Sequence, residues 1–191
     1  MNCLAWNCHG LGNPGTVQEI ARLVRAQDPS IVFLIETWQD DGPLERLCCQ
    51  LQFANKFVVK SRNKGGGLCL LWKNEVKLRV QSFSHSHIDA FVCENQPDAW
   101  CLTSFYGAPE THLREELWTL LRRFNSQSAL PWCFLGDFNE LVRVEQKQGR
   151  LSRLENQIQR FRDVLDDCDF INLGYSSSSY TWTNNRVGDM T

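Results

Sequence analysis

The sequence lacks the long apolar runs that a membrane protein needs. Its longest unbroken runs, Ile31–Ile35 and Leu68–Trp72, are far shorter than the roughly 20 residues of a transmembrane helix. No basic, apolar and small-residue succession opens the chain, so no secretory signal is expected. Hydrophobic residues make up 42% and charged residues 22% of the 191 residues, which is typical of a globular protein. We therefore predict a single domain over residues 1–191 with no membrane partner.

The sequence also lacks the cysteine spacing of a zinc site or a disulfide framework. Its nine cysteines are odd in number, include no C-x-x-C pair, and mostly lie within apolar runs such as 68–70. No N-x-S/T sequon is present. Buried, reduced thiols in an intracellular protein are the interpretation that we favour.

The sequence lacks a large excess of either charge, with a net charge of -2, but its basic residues are unevenly distributed. Seven Lys and Arg residues fall between positions 56 and 79 against one acid, and six fall between positions 143 and 162 against two. Such stretches can form rims that contact phosphates, or they can be ordinary surface charge. Both interpretations stay open at this point.

The periodicity of the apolar residues predicts helices on both sides of a strand-rich middle. A helix from Thr16, as its cap, to about Gln27 follows a first strand at 2–7, and another helix is expected at 43–51. Further helical stripes lie at 113–124 and 154–165. The remaining predicted strands are 30–36, 56–60, 68–72, 76–83, 87–94, 100–106, 132–135, 170–173 and 179–183. We predict an α+β fold, a sandwich of two mainly antiparallel sheets flanked by helices.

A glycine-rich segment between the first strand and the first helix matches a dinucleotide-binding fingerprint. Gly10-Leu11-Gly12-Asn13-Pro14-Gly15 has the G-x-G-x-x-G spacing, and Glu36 follows twenty-one residues after Gly15. A dinucleotide fold needs further parallel βαβ units, whereas four consecutive strands over 68–106 have no helix between them. We interpret the glycines as a flexible turn and keep a nucleotide-binding enzyme as an alternative.

Five polar side chains stand where apolar strands end: Asn7, Glu36, Tyr106, Asp137 and Asn139. Taken singly, each has a structural alternative as a turn former, a cap or the edge of a core. If the strands align, their ends converge on one cleft. Carboxylate, amide and phenol groups suit Mg²⁺, which prefers oxygen ligands, and they suit hydrolysis of a phosphodiester.

These residues lie in motifs that resemble the endonuclease/exonuclease/phosphatase superfamily. The motifs are Trp6-Asn7-Cys8-His9-Gly10-Leu11-Gly12-Asn13-Pro14, Glu36-Thr37, Phe105-Tyr106-Gly107, Gly136-Asp137-Phe138-Asn139 and Tyr180-Thr181-Trp182-Thr183. The sequence is most similar to the endonuclease domain of plant non-LTR (LINE-type) retrotransposon polyproteins. The resemblance implies a four-layer α/β sandwich and a Mg²⁺-dependent phosphodiesterase, with Mn²⁺ as a substitute. It implies a DNA endonuclease whose nick exposes a 3'-hydroxyl that primes reverse transcription.

The resemblance also implies roles for single residues. Glu36 is the principal metal ligand with Asn7 assisting, and Asp137 orients or activates the attacking water. Tyr106 hydrogen-bonds the scissile phosphate, and Asn139 stabilises the phosphoryl oxygens. Thr181 is expected on the DNA backbone, and His9 stands where related sequences often have Arg, which leaves either a phosphate contact or no role.

One part of the family pattern has no counterpart in the sequence. The family completes its site with an aspartate after the T-W segment and a Ser-Asp-His triplet on the last strand, but no histidine follows Asn139 here. We therefore expect a truncated domain that lacks its final strands, is marginally soluble, and is inactive or nearly so. A non-catalytic nucleic-acid-binding remnant is the alternative. DNA is the expected partner, no obligate protein partner is evident, and a nuclear location is implied only by that substrate.

Overall fold

The computed structural model describes residues 1–61, 66–146 and 154–174. These residues contain eight strands and four α-helices. The strands are β1 Cys3–Asn7, β2 Ile31–Ile35, β3 Asn55–Val59, β4 Leu68–Trp72, β5 Leu78–Phe83, β6 His87–Val92, β7 Trp100–Tyr106 and β8 Trp132–Asp137. The helices are α1 Pro14–Gln27, α2 Asp41–Gln50, α3 Arg114–Asn125 and α4 Glu155–Asp167.

Two four-stranded sheets form the centre of the fold. The first has the order β1-β2-β4-β3 and the second the order β5-β6-β7-β8. In each sheet one edge pair is parallel, β1 with β2 and β7 with β8, and the other neighbours are antiparallel. The predicted α+β sandwich of two mainly antiparallel sheets is therefore confirmed.

Three apolar clusters divide this sandwich into four layers. The first lies between the first sheet and the helices α1 and α2, with Ile20 and Leu44 facing Leu34. The second lies between the two sheets, where Phe33 and Leu70 of the first meet Leu102 of the second. The third joins the second sheet to α3 and α4 and is built mainly from aromatic rings. Strand β2 belongs to the first two clusters at once, which is why it is an unbroken apolar run.

Two of the predicted elements differ from the structure in ways that have a local cause. The cap of helix α1 is Asn13, three residues before the expected Thr16, because the Asn13 side chain accepts a hydrogen bond from the Gly15 N–H and Pro14 takes the first helical position. The expected strand at 170–173 does not form, and Phe170 instead stacks on Phe134. The strand predicted at 179–183 lies outside the described residues.

The four strands over 68–106 do not form one meander. Strand β4 lies inside the first sheet with β2 on one side and β3 on the other, so neither of its edges can bind β5. The chain therefore crosses from the first sheet to the second between Trp72 and Leu78. Only β5, β6 and β7 are consecutive neighbours.

No helix in the described parts of the chain is long and apolar enough to cross a membrane. Five of the nine cysteines are buried, as their apolar surroundings predict.

Candidate catalytic site

The two parallel strand pairs bring the predicted site residues to one end of the sandwich. Asn7 ends β1 opposite Ile35 of β2, and Glu36 follows directly. Tyr106 ends β7 opposite Asp137 of β8. Strands β1 and β8 also contact each other across the two sheets, so the carboxyl ends of all four strands meet.

Five residues close a ring of hydrogen bonds at this end. The Nδ2 of Asn7 lies 3.1 Å from Oε1 of Glu36 and 3.1 Å from Oδ2 of Asp137, so one amide group donates to both carboxylates. The Tyr106 hydroxyl donates to the same Glu36 oxygen at 2.6 Å. Asn139 completes the ring with its backbone N–H on Oδ1 of Asp137 at 2.9 Å and its side chain on the phenol of Tyr106. The structure therefore brings together all five residues that the strand ends predicted.

The two residues expected at the substrate have different outcomes. Nδ1 of His9 lies 3.4 Å from Oε2 of Glu36, with the His9 side chain 52% exposed and the Glu36 side chain 15% exposed. The backbone N–H of His9 also donates to Oδ1 of Asn7 at 3.1 Å. His9 therefore stands at the mouth of the cluster, on the solvent side of Glu36. Thr181 lies outside the described residues.

Burial and neighbouring charge keep the phenol of Tyr106 protonated. Its pKa is raised well above the ordinary value, first by desolvation and then by the hydrogen bond to Glu36 and the negative charge of Glu36 and Asp137. A protonated phenol is a donor, so Tyr106 neutralises part of the charge on Glu36 at any physiological pH.

The backbone at the site is held in an unusual conformation. His9, Glu36 and Asn139 have φ angles of 45°, 52° and 50°, in the left-handed region that residues other than glycine seldom adopt. Asparagine tolerates this region, but a glutamate there carries strain. The hydrogen bonds around Glu36 hold it in place: the Gly10 N–H donates to the Glu36 carbonyl at 2.8 Å.

The glycine-rich segment is therefore a structural support and not the flexible turn that we expected. Its backbone pairs with the segment after β2, with Gly10 on Glu36 and Leu11 on Thr37. A side chain at Gly10 would lie 2.4 Å from the ring of Trp38, so only glycine fits. The dinucleotide-binding alternative is wrong for this fold, because β1-α1-β2 is followed by antiparallel strands and not by further parallel units.

A known family pattern covers nearly the whole sequence. The model of the Endonuclease/Exonuclease/phosphatase family matches residues 4–188. The chain belongs to this family. None of the curated proteins matches it by sequence.

Solved structures of other proteins share the fold of this endonuclease/exonuclease/phosphatase chain at low sequence identity. The AP endonuclease LMAP from Leishmania major is 14% identical with a TM-score of 0.65, over 86% of this chain and 65% of its own length. The 3' phosphatase NExo from Neisseria, bound to a product DNA hairpin, is 15% identical with a TM-score of 0.61, over 86% and 70%. The endonuclease domain of TRAS1, a telomere-specific non-LTR retrotransposon, is 12% identical with a TM-score of 0.60, over 87% and 69%. The chain thus spans about two thirds of the length of these structures.

The family's donor set at this site fits a hard cation. Among the described residues no group of three or more His, Cys, Asp and Glu side chains is arranged to hold a metal ion. Glu36 and Asp137 supply carboxylate oxygens, and Asn7 supplies an amide oxygen. The amide group of Asn7 already donates to both carboxylates. Mg²⁺ accepts this type of site, because it binds through one or two carboxylates and keeps several waters.

The first of the two basic stretches, residues 56–79, is partly neutralised in this family member. Lys56 lies 2.8 Å from Glu45, and Lys73 lies 2.6 Å from Asp28. Arg79 makes two hydrogen bonds to Glu94, which closes that pair on the surface of the second sheet. The acids come from other parts of the sequence, so the local excess of cations overstates the positive charge of the surface.

A buried ion pair next to the site was not predicted. Arg114 at the start of α3 contacts Glu140, the residue after Asn139, at 2.6 Å with side-chain exposures of 5% and 2%. The same guanidinium donates to the carbonyls of Ala108 and Pro109 at 2.9 Å each. It therefore fixes the loop after Asn139 to the loop after Tyr106. No local pattern reveals this pairing, since its partners are 26 residues apart.

Proposed function

We propose that this chain is the catalytic part of a Mg²⁺-dependent phosphodiesterase that nicks DNA. The observation that supports the proposal is the closed ring of hydrogen bonds, in which one Asn7 amide group holds the carboxylates of Glu36 and Asp137 on the same cleft. Two like charges held together by a neutral amide form a site for a cation.

Glu36 and the amide oxygen of Asn7 are the residues that would hold Mg²⁺, with Mn²⁺ as a substitute. When bound there, the cation neutralises charge on the phosphoryl oxygens. Asn7 contributes orientation, because its amide group donates to both carboxylates and so holds them in a fixed arrangement.

Asp137 is the proposed general base or water-positioning residue. Its Oδ1 accepts the Asn139 backbone N–H, which fixes the carboxylate, and its Oδ2 faces Asn7 and the cleft. Tyr106 stays protonated and is the proposed donor to the scissile phosphate once Glu36 engages a cation. The Asn139 side chain already donates to the Gly107 carbonyl at 2.8 Å and to the phenol of Tyr106, so its proposed role at the phosphoryl group needs a rearrangement.

DNA as the substrate is supported by solved structures that share the fold, which include an AP endonuclease, a 3' phosphatase bound to a product DNA hairpin and a retrotransposon endonuclease domain. We propose a LINE-type retroelement as the source, on the motifs quoted above, and with it action in the nucleus. Genomic sequence downstream of the codon for Thr191 tests this origin. An in-frame continuation with L-D-R, S-D-H and a reverse transcriptase is expected, and an unrelated continuation would contradict it.

Metal binding is the first test of the site. Titration of Mn²⁺, followed by electron paramagnetic resonance, should show one site in the wild type that is lost in Glu36→Gln. That substitution keeps the shape of the side chain and removes its charge. Glu45→Gln is the matched control, because Glu45 pairs with Lys56 on the surface and should not affect binding. A wild type without a Mn²⁺ site would refute the proposal.

Nicking of supercoiled plasmid in Mg²⁺ is the second test. We expect a loss of the nicking rate of about 10²–10⁴-fold in Glu36→Gln and in Asp137→Asn, because each substitution removes a carboxylate charge from the site. Nicking that is unaffected by both substitutions would come from a contaminating nuclease and would contradict the site. A fast rate that depends on Glu36 would instead overturn the expectation of low activity and leave the site assignment intact.

A further inference from the structure

Trp38 is an exposed aromatic residue beside the site, and the five-residue ring does not use it. Among the described residues, Trp38 and Phe83 are the largely exposed aromatic side chains, at 45% and 58%. Trp38 follows Glu36 by two residues, a span of at most about 7 Å. Its ring therefore lies within reach of a nucleotide whose phosphate is held at Glu36.

The backbone of Trp38 is strained and is held by hydrogen bonds to the segment before β4. Its φ angle is 51°, which for a bulky residue is a clear outlier. Its N–H donates to the Gly66 carbonyl at 3.1 Å, and the preceding Thr37 N–H donates to the Gly67 carbonyl at 3.1 Å. Strain that is held in this way at the edge of a reactive cleft indicates a function for the side chain that it orients.

The indole ring of Trp38 also packs against Gly10. Its Cε3, Cζ3 and Cδ2 atoms lie 2.4, 3.0 and 3.2 Å from the position that a Cβ would take at Gly10. The backbone of Gly10 thus packs directly against the ring, while Trp38 as a whole is 45% exposed. An exposed aromatic ring that is held in place by the backbone behind it is suited to stacking on another ring.

We propose that Trp38 stacks on an unpaired base of the nucleic-acid strand next to the scissile phosphate. This inference rests on the proposed phosphodiesterase function. Stacking suits the position because every base offers a π face, so the contact holds a strand without reading its sequence. The exposed Lys60 directly follows β3, which ends at the same end of the first sheet as β2, and it adds positive charge for the backbone of the bound nucleic-acid strand.

The test compares two fluorescein-labelled probes of equal length at fixed salt, with Ca²⁺ in place of Mg²⁺. One is a single-stranded oligothymidylate, and the other is the same backbone with abasic nucleotides. The wild type should bind the base-bearing probe about 5- to 150-fold more tightly. Trp38→Leu, which keeps apolar bulk without an aromatic face, should lose most of that preference, and Trp38→Tyr should retain much of it.

The control is Phe83→Leu, an exposed aromatic position on the far edge strand of the second sheet, which should bind both probes as the wild type does. Equal affinity of the wild type for the two probes would overturn the proposal without any variant. Equal weakening of both probes by Trp38→Leu would assign Trp38 a structural role instead. Mn²⁺ titration of the same preparations separates the two proposals: failure of the proposed function appears as no Mn²⁺ site in the wild type, and failure of stacking appears only in the probe comparison.

Discussion

The buried ion pair between Arg114 and Glu140 should be a major determinant of stability. Its side chains are 5% and 2% exposed, and the guanidinium also satisfies two backbone carbonyls. Arg114→Met removes the charge and all of these donors while keeping most of the apolar stem. The carboxylate of Glu140 is then left buried without its cation, which typically costs about 3–5 kcal/mol.

That cost is large for a domain of this size. Globular domains are stable by only about 5–15 kcal/mol, and about 2–4 °C of melting temperature corresponds to each kcal/mol in a chain of this length. We therefore expect Arg114→Met to lower the melting temperature by about 10 °C. Urea unfolding should show a matching fall in the transition midpoint with an unchanged slope.

A second ion pair of equal length provides the control. Lys73 and Asp28 are also 2.6 Å apart, but their side chains are 26% and 84% exposed. Lys73→Met should cost no more than about 1 kcal/mol, because water already screens that pair. The double variant Arg114→Met/Glu140→Leu should recover part of the loss, since no unpaired carboxylate remains. If Arg114→Met costs no more than Lys73→Met, burial does not set the strength of the pair and the reasoning is refuted.

Three further predictions concern the site, the pH dependence and the strand junctions. Tyr106→Phe should lower the nicking rate by about 10- to 150-fold, because it removes a hydrogen bond to a charged group. Burial lowers the pKa of His87 to about 4, so the folded protein binds the proton less readily than the unfolded chain. Stability should then fall by about 3 kcal/mol as the pH drops from about 6.5 towards 4, and His87→Gln should remove this part of the pH dependence. Gly107→Ala should prevent stable folding, because its Cβ would lie 1.9 Å from the Phe138 carbonyl oxygen, whereas Gly42→Ala should still fold, because no other part of the structure lies within 4 Å of its Cβ.

Each of these has a clear contrary result. A Tyr106→Phe protein with wild-type nicking would show that the phenol does not act at the cleft. Identical stability-versus-pH curves for the wild type and His87→Gln, measured by urea unfolding, would refute the assigned effect of burial, with the exposed His85→Gln as the control. Equal melting temperatures for Gly107→Ala and Gly42→Ala would contradict the close approach at Gly107.

The candidate site could be predicted because each of its members marks the end of an apolar strand. Each of Asn7, Glu36 and Asp137 follows an unbroken apolar run, so the sequence alone marked them as candidates, and their shared motifs indicated that they act together. Their meeting depends on two parallel strand pairs that align the same ends. The hydrogen-bond ring itself was not predictable, since it depends on side-chain rotamers. The roles of these residues stay predictions.

Long-range pairing explains what the sequence did not reveal. A count of charge along the chain cannot detect that Lys73 and Arg79 meet Asp28 and Glu94. Short connections between strands normally indicate hairpins, yet β4 is already flanked on both sides when β5 begins. The true cap of α1 was readable, because a proline directly after Asn13 favours that asparagine over Thr16.

The left-handed backbone conformation of Glu36 lowers the thermal stability of the protein at the residue that is proposed to bind the cation. Glycine or asparagine at that position would tolerate the φ angle of 52° without strain. Either substitution would also remove the negative charge that lies next to the carboxylate of Asp137. Selection of variants for thermal tolerance alone should therefore enrich substitutions at the residue on which cation binding is proposed to depend. A copy of this gene that is freed from selection for cutting would be expected to lose its glutamate early and to keep its fold.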